Sequence, residues 1–561
     1  MRRFINSCNI YYLSVALLVT CVLINMHSTD ASFFNGYGLF IQLSIVFVLT
    51  ALLYSVWPKR ISLFIFVVIC IICCWELFLG LFQLLGFCDS GLYLYRLTGS
   101  FGNPGIFGGF VAVCMSLVVA FLVENKDLLK SRNNRAVSWT LTIIGGVSLI
   151  VFFSAQSRAA VLALCGSMIL LFSKTEYVRI RVIVFLKRYF LLIVIAAVVL
   201  VSGAYMYKKT SADSRFFINK ISVLTMKSNN WKGVGPGRFG GEYGKTQAEY
   251  FKNQIAENGK EDLDWSVIDS HDRLIADIPI NAFNEYLNIG IEFGLLAMLS
   301  FIGIIVTGIM VSYKRNTLWC YGLMALAIFA LFSYPLHIIS FQVLTAMMLA
   351  ACISDRNPIK QIINNQLAVS GTNKLSVAPW ALLSVLVLLS VSVTGKVSDI
   401  KQYHNALRKW KEMEHWHVLK HYDFVVEDSP SIYPYLQDEQ LFLFEYGQSL
   451  NKTGYYSKSD SVLEQGVQFS CDPIYWNIMG DNCLAVDDYV KAEEFYKHAF
   501  YMVPNRIYPL YKLAKLYEMK GDTLSFLSMA EKVDGFIPKQ ESAKTEEYRS
   551  EIRNIKYLYL K

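Results

Sequence analysis

About eleven apolar runs fill the first 396 residues, most of them roughly 17 to 25 residues long, the length a helix needs to cross the hydrocarbon of a bilayer. Their cores lie near 10–26, 38–56, 61–81, 105–123, 137–153, 159–173, 189–206, 289–312, 318–334, 336–353 and 377–394. Backbone polar groups find no partner in lipid, so such runs fold as helices. Hydrophobic residues make up 54% of the chain and charged residues only 17%, which excludes an ordinary soluble protein. The expected fold is an all-α, polytopic membrane helix bundle.

Charge tests the span map. Lysines and arginines collect in alternate loops: Arg2 and Arg3; Lys59 and Arg60; Lys126, Lys130, Arg132 and Arg135; Lys174 to Arg188; Lys314 and Arg315; and Arg356, Lys360 and Lys374. The opposite short loops hold only Arg96 and Arg158. Cytoplasmic loops retain basic residues, so this asymmetry predicts a cytoplasmic N-terminus and, after an odd number of spans, a C-terminal segment outside. It also accounts for the net charge of +8, and nucleic acid is not an expected partner. The first run follows Arg2 and Arg3 like a signal peptide, but lacks an evident small-residue cleavage site and is read as a retained span. Eight of the twelve cysteines fall inside apolar runs, and no disulfide framework or zinc spacing emerges.

Hydropathy changes near residue 397, which divides the chain into a membrane domain, 1–396, and a soluble domain, 397–561. In the latter, Trp476, Met479, Gly480, Ala492, Tyr496, Ala499 and Pro504 fit tetratricopeptide spacing, with Met and Tyr in the slots for Leu and Phe. A weaker copy follows 34 residues later at Leu510, Leu513, Ala514, Tyr517, Ala530 and Pro538. The expectation is an α-solenoid whose helix pairs bury their apolar faces by stacking. It serves either to capture a partner or to pack the protein against itself.

The two isolated outer arginines need a reason. Arg96 begins the glycine-punctuated stretch Arg96 to Pro104, which includes Asn103, and Arg158 sits in the turn Gln156-Ser157-Arg158-Ala159. A guanidinium offers planar, permanently charged donors suited to phosphate oxygens. The competing reading is that each snorkels to the interface or pairs with a carboxylate such as Asp89. The large outer loop, about 207–285, is too long for a simple connector. It carries Arg215, the cluster Gly233-Val234-Gly235-Pro236-Gly237-Arg238, and then Tyr243, Gln247, Tyr250 and Phe251. The glycines would present N–H groups to an anion, or merely make a turn. No G-K-[ST] follows, so nothing supports ATP use.

The loop ends in Phe283-Asn284-Glu285-Tyr286-Leu287 and runs to Glu292. Glu285 and Glu292 are seven apart, which puts them on one helical face with Asn288 between. Glu285 is a candidate general base or a carboxylate that orients an arginine, against the plainer role of a helix-start acid. His271 and His337 are the outward histidines of interest.

These elements, in order over about 76–355, resemble the O-antigen ligase, O-antigen polymerase and protein O-oligosaccharyltransferase superfamily. The resemblance rests on R-L-T-G-S-F-G-N-P (Arg96 to Pro104), Q-S-R-A-A (Gln156 to Ala160), G-V-G-P-G-R-F (Gly233 to Phe239) with Gln247 and Tyr250, and F-N-E-Y-L-x4-E-x-G (Phe283 to Gly294). It implies a GT-C-like membrane domain in a bacterial inner membrane, with the C-terminal domain periplasmic. It implies transfer of a preassembled glycan from undecaprenyl diphosphate to an acceptor hydroxyl on protein or lipid, with no cofactor or metal required. Arg96, Arg158 and Arg215, with Arg238, would hold the pyrophosphate, and Asn103, Gln247 and Asn284 would line the substrate site. Glu285 or His271 would act as base. One departure stands out: many ligases have a histidine just before the Asn of F-N-E-Y-L, where this chain has Phe283. A polymerase using a growing glycan as acceptor, or a lipid-linked glycan transporter, are the alternatives.

Overall fold

The computed structural model describes residues 2–28, 50, 61–90, 95–125, 135–174, 188, 203, 206, 209–257, 263–354 and 397–560. The expected spans near 38–56, 189–206 and 377–394 lie almost wholly outside the described residues, as does the basic cluster of residues 356–374.

The described part of the first half contains α1 (Arg2–Ser28), α2 (Ile61–Leu85), α3 (Pro104–Glu124), α4 (Arg135–Ser154) and α5 (Arg158–Lys174). After the outer loop come α10 (Leu295–Arg315), α11 (Trp319–Ala330) and α12 (Ile339–Ser354). Among the described residues α2, α3 and α10 are long and apolar enough to cross a membrane, and the apolar stretches 10–22, 139–154, 319–330 and 339–354 are shorter. Helix α3 is the hub. It is buried on nearly every face and packs on α2, α4, α5 and α11. Large side chains such as Phe64, Ile71, Trp75, Trp139, Phe153 and Ile169 instead point outward. A bundle with a packed interior and an apolar exterior is a membrane helix bundle, because lipid satisfies the outward side chains that water would not.

The outer loop is itself helical. It forms α6 (Lys209–Ser228), α7 (Phe239–Glu257), the short α8 (Ser270–Ile275) and α9 (Glu285–Phe293). The run expected as one span from residue 289 breaks at Gly294. That residue has φ +91°, and a Cβ there would lie 2.9 Å from the carbonyl oxygens of both Trp231 and Lys232. Leu295 N–H donates to Trp231 O at 3.0 Å. The membrane helix α10 therefore starts at Leu295, and α9 with both its glutamates lies outside it.

The C-terminal segment is a run of helices: α13 (Val397–Val418), α14 (Tyr422–Ile432), α15 (Gln440–Lys452), α16 (Tyr456–Gly466), α17 (Ile474–Ala485), α18 (Tyr489–Met502), α19 (Tyr508–Lys520), α20 (Thr523–Asp534) and α21 (Ala543–Leu560). Each packs on the next, and α15, α17, α19 and α21 also touch in series. The residues singled out by spacing do the packing. Gly480 lies against the Tyr496 ring, while Ala492, Tyr496, Leu510, Leu513 and Ala514 are all fully buried.

This segment does not hang free of the outer loop. Phe217, Tyr243, Phe251 and Ile275 from the loop share one hydrophobic core with Cys471, Phe500, Met502 and Phe536. Polar staples cross the same seam. Arg273, 3% exposed, has its guanidinium at the carbonyls of Ile537 (2.8 Å) and Pro504 (3.4 Å), over the rings of Trp265 and Phe536. Asn505 Nδ2 donates to the carbonyls of Arg273 and Ala276 at 2.9 and 2.8 Å.

Candidate functional site

The stretch from Tyr95 to Asn103 folds back against α2. Glu76 accepts from Ser100 N–H at 3.0 Å and Ser100 Oγ at 2.6 Å, and Gln83 binds Thr98 N–H, Gly99 N–H and Gly99 O. These bonds explain an acid and an amide on an apolar helix: they satisfy the backbone of a loop that has no strand or helix to do so. Asn103 then caps α3, its Oδ1 accepting from Gly105 and Ile106 N–H, with Pro104 at the first helical position. The turn before α5 sits on this cap. Gln156 takes φ +49°, and Ser157 Oγ donates to Gly105 O at 3.3 Å, which brings Arg158 to the same end of the bundle.

Arg215 comes from α6 to meet it. The half-buried guanidinium donates to Phe332 O at 3.0 Å and lies 5.1 Å from the centre of the Phe283 ring. Burial lowers its proton affinity, and the neighbouring Arg158 charge lowers it further. Phe283 also packs edge-on to Tyr334 at 5.4 Å, and Tyr334 stands near Asn103 and within the field of Arg215. Phe283 has φ +50°, a strained conformation for an aromatic residue that the surroundings must enforce.

Below this lies a second cluster. Asn284 caps α9, its Oδ1 accepting from Tyr286 and Leu287 N–H at 3.1 and 3.2 Å. Glu285, 2% exposed, accepts from Leu336 N–H at 2.9 Å, and its Oε1 lies 3.5 Å from His337 Nδ1. Asn288 Nδ2 stands 3.4 Å from His337 Nε2. Burial disfavours a charged His337, but the Glu285 carboxylate and then Glu292 outweigh it, and its pKa is raised above the usual 6.5. Glu292 is pushed up to about 7, by removal from water first, with Glu285 adding to it. The His337 charge, the Gly237 N–H at 3.1 Å and Asn288 oppose that rise.

The expected site residues therefore separate. Arg215 lies at Phe283 and Tyr334, with Asn103 near Tyr334 and Arg158 within the field of Arg215. Asn284, Glu285 and His337 adjoin them in the next cluster. Arg96 is exposed on the loop whose neighbouring Tyr95 approaches Tyr334. Arg238 stands over Phe469 of the C-terminal segment, 5.8 Å from its ring centre. Gln247 is buried in the seam, its Nε2 donating to Asp277 O and Met502 O, a structural use rather than an exposed contact. His271 lies 3.4 Å from Asp213 and is well exposed, whereas the histidine at Glu285 is His337. Tyr334 had not been singled out. Its only signal was a Tyr-Pro-Leu-His interruption between two apolar runs. Among the described residues no group of three or more His, Cys, Asp or Glu is placed to hold a metal ion.

No curated protein matches the chain. Residues 143–302 match the family model described as O-Antigen ligase, a stretch from within α4 into α10 that includes Arg158, Arg215, the glycine loop and α9. It is narrower than the 76–355 over which the motifs were read and ends before Tyr334 and His337. Over this stretch, less than half of its length, the chain is similar to the O-antigen ligase family.

Proposed function

We propose that the protein transfers a preassembled glycan from undecaprenyl diphosphate to an acceptor hydroxyl, at the periplasmic face of a bacterial inner membrane. The observation that carries this reading is the meeting of two cations from separate elements: the half-buried Arg215 of α6, held at Phe332 O and over the Phe283 ring, lies within the field of Arg158 from the turn before α5. Such a pair suits a diphosphate, whose charge grows as the glycosidic bond breaks. The acceptor oxygen bonds to the anomeric carbon, the bond from that carbon to the diphosphate oxygen breaks, and undecaprenyl diphosphate leaves.

The acceptor proton needs a base. His337, oriented by Glu285 through Nδ1, takes that role through Nε2, in place of the histidine that Phe283 replaces in the F-N-E-Y-L element. Glu285 is then the orienting carboxylate. The C-terminal helices are of tetratricopeptide type and offer a surface to a protein acceptor. In this reading the chain divides at residue 397, with about eleven spans before it.

The test is transfer in membrane vesicles supplied with a polyprenyl-diphosphate-linked oligosaccharide. Arg158→Ala and Arg215→Ala should each abolish transfer; retention of activity in both would overturn the reading. Mass spectrometry of the glycosylated product names the acceptor as protein, lipid or growing glycan.

A further inference from the structure

The connection between α16 and α17, residues 467–471, is where the C-terminal segment reaches the glycine loop. The Phe469 ring lies beneath the Arg238 guanidinium. Immediately afterwards, α7 presents a face of glycines to the same connection. A Cβ on Gly240 would come 2.5 Å from Phe469 O, one on Gly241 would overlap Gln468 O, and one on Gly244 would lie 3.0 Å from the Cys471 Cα. Residues 240, 241 and 244 share one face of a helix, so these glycines let two backbones meet where any side chain would hold them apart.

On the other side, the glycine loop is tied to α9. Val234 and Gly235 N–H donate to the carbonyls of Ile291 and Glu292, each at 2.9 Å, and Gly237 N–H donates to Glu292 Oε1. Glu292 stands one helical turn after Asn288 on α9, and Asn288 in turn faces His337. An unbroken series of contacts therefore runs from Phe469 through Arg238 and Gly237 to Glu292, Asn288 and His337.

On the reading of His337 as the transfer base, we propose that Phe469 is a positioning residue of the site: the 467–471 connection fixes the glycine loop, and through it the α9 carboxylate and the histidine. The C-terminal segment is then a wall of the catalytic centre rather than a tethered docking module. Phe469 touches neither donor nor acceptor. It keeps Arg238 and the first turn of α7 in place, so that Gly237 N–H stays on Glu292.

The test compares full-length wild type with Phe469→Leu, Phe469→Tyr and the control Phe526→Leu. The control sits on α20 against the Tyr559 ring of α21, rather than against Arg238 or the glycine loop, and reports on destabilisation. Transfer kinetics are measured in vesicles with a polyprenyl-diphosphate-linked oligosaccharide, alongside the melting temperature. Phe469→Leu should lower kcat by about tenfold with the donor KM within about twofold of wild type, the pattern of a misplaced reacting group. Phe469→Tyr restores the ring and should restore kcat, and Phe526→Leu should lower the melting temperature without lowering kcat. A Phe469→Leu enzyme with wild-type kcat, or one that Tyr fails to rescue, overturns the proposal. If wild type itself transfers no glycan, the proposed function fails, and that result is distinct from either outcome.

Discussion

The imidazole of His337 lies 3.5 Å from the buried carboxylate of Glu285, although one comes from the join between α11 and α12 and the other from the first turn of α9. Glu285 also accepts the backbone N–H of Leu336, so one carboxylate fixes both the position and the tautomer of the ring. With Nδ1–H directed at Glu285, the lone pair is on Nε2.

As a base, His337 must be neutral, so transfer should rise with pH as the ring loses its proton. Its pKa is raised, which puts the acid limb of the kcat profile above pH 6.5. Glu285→Gln removes the carboxylate that holds the proton, and the limb should move down. His337→Ala should lower kcat by about 10²–10⁴-fold. A limb that Glu285→Gln leaves in place would dissociate the pair.

Stability should move in the opposite sense. Glu292 has a folded-state pKa of about 7 against 4.5 for the free group, so the fold binds a proton that the unfolded chain releases earlier. Its contribution is fully present below about pH 4.5 and is lost as pH rises through about 7. Melting temperature in detergent should fall between pH 6 and pH 8, and Glu292→Gln should flatten that decline. An equally steep decline in the variant would point to another group.

Arg215 and Gln247 make a discriminating pair. Arg215→Lys keeps the charge but loses the planar contact with Phe283, and should raise donor KM while leaving the fold intact. Gln247→Ala strips hydrogen bonds from Asp277 O and Met502 O, each worth about 1–3 kcal/mol when left unmade. It should lower the melting temperature with donor KM unchanged. A raised KM in Gln247→Ala would return that residue to the binding site.

Gly294→Ala should destabilise by on the order of 2 kcal/mol or more, because φ +91° is strained for any side chain and the Trp231 and Lys232 carbonyls occupy the space. Limited proteolysis within 229–238 should be faster in the variant. Unchanged cleavage would mean that the break between α9 and α10 survives without the glycine.

How much of this could be read from the sequence depended on the range of the interactions. The apolar runs that became α2, α3 and α10 are local patterns, and hydropathy reports them directly. The seven-residue spacing of Glu285 and Glu292 placed both on α9 with Asn288 between. The break at Gly294 was hidden because its cause, a pair of carbonyls from residues 231 and 232, lies far along the chain. Pairing was hidden for the same reason. The neighbours of His271 (Ser270, Asp272) and of His337 (Leu336, Ile338) name no partner for either, and only the fold shows that the second stands at Glu285 while the first stands at Asp213. The family resemblance puts Gln247 in the substrate site, whereas the C-terminal helices cover it, a contact between residues 255 apart that no local pattern reports.

The bare glycine face of α7 also bears on how such a protein could be rebuilt. Gly240, Gly241 and Gly244 accept the backbone of 467–471 as a lock accepts one cut of key. A hybrid that exchanges residues 397–561 alone would bring a foreign connection against that face, while a hybrid that exchanges 209–293 together with 397–561 would keep its joint. For recombination, natural or engineered, the transferable cassette is discontinuous: it skips α10, α11 and α12 and takes the outer loop along with the tail.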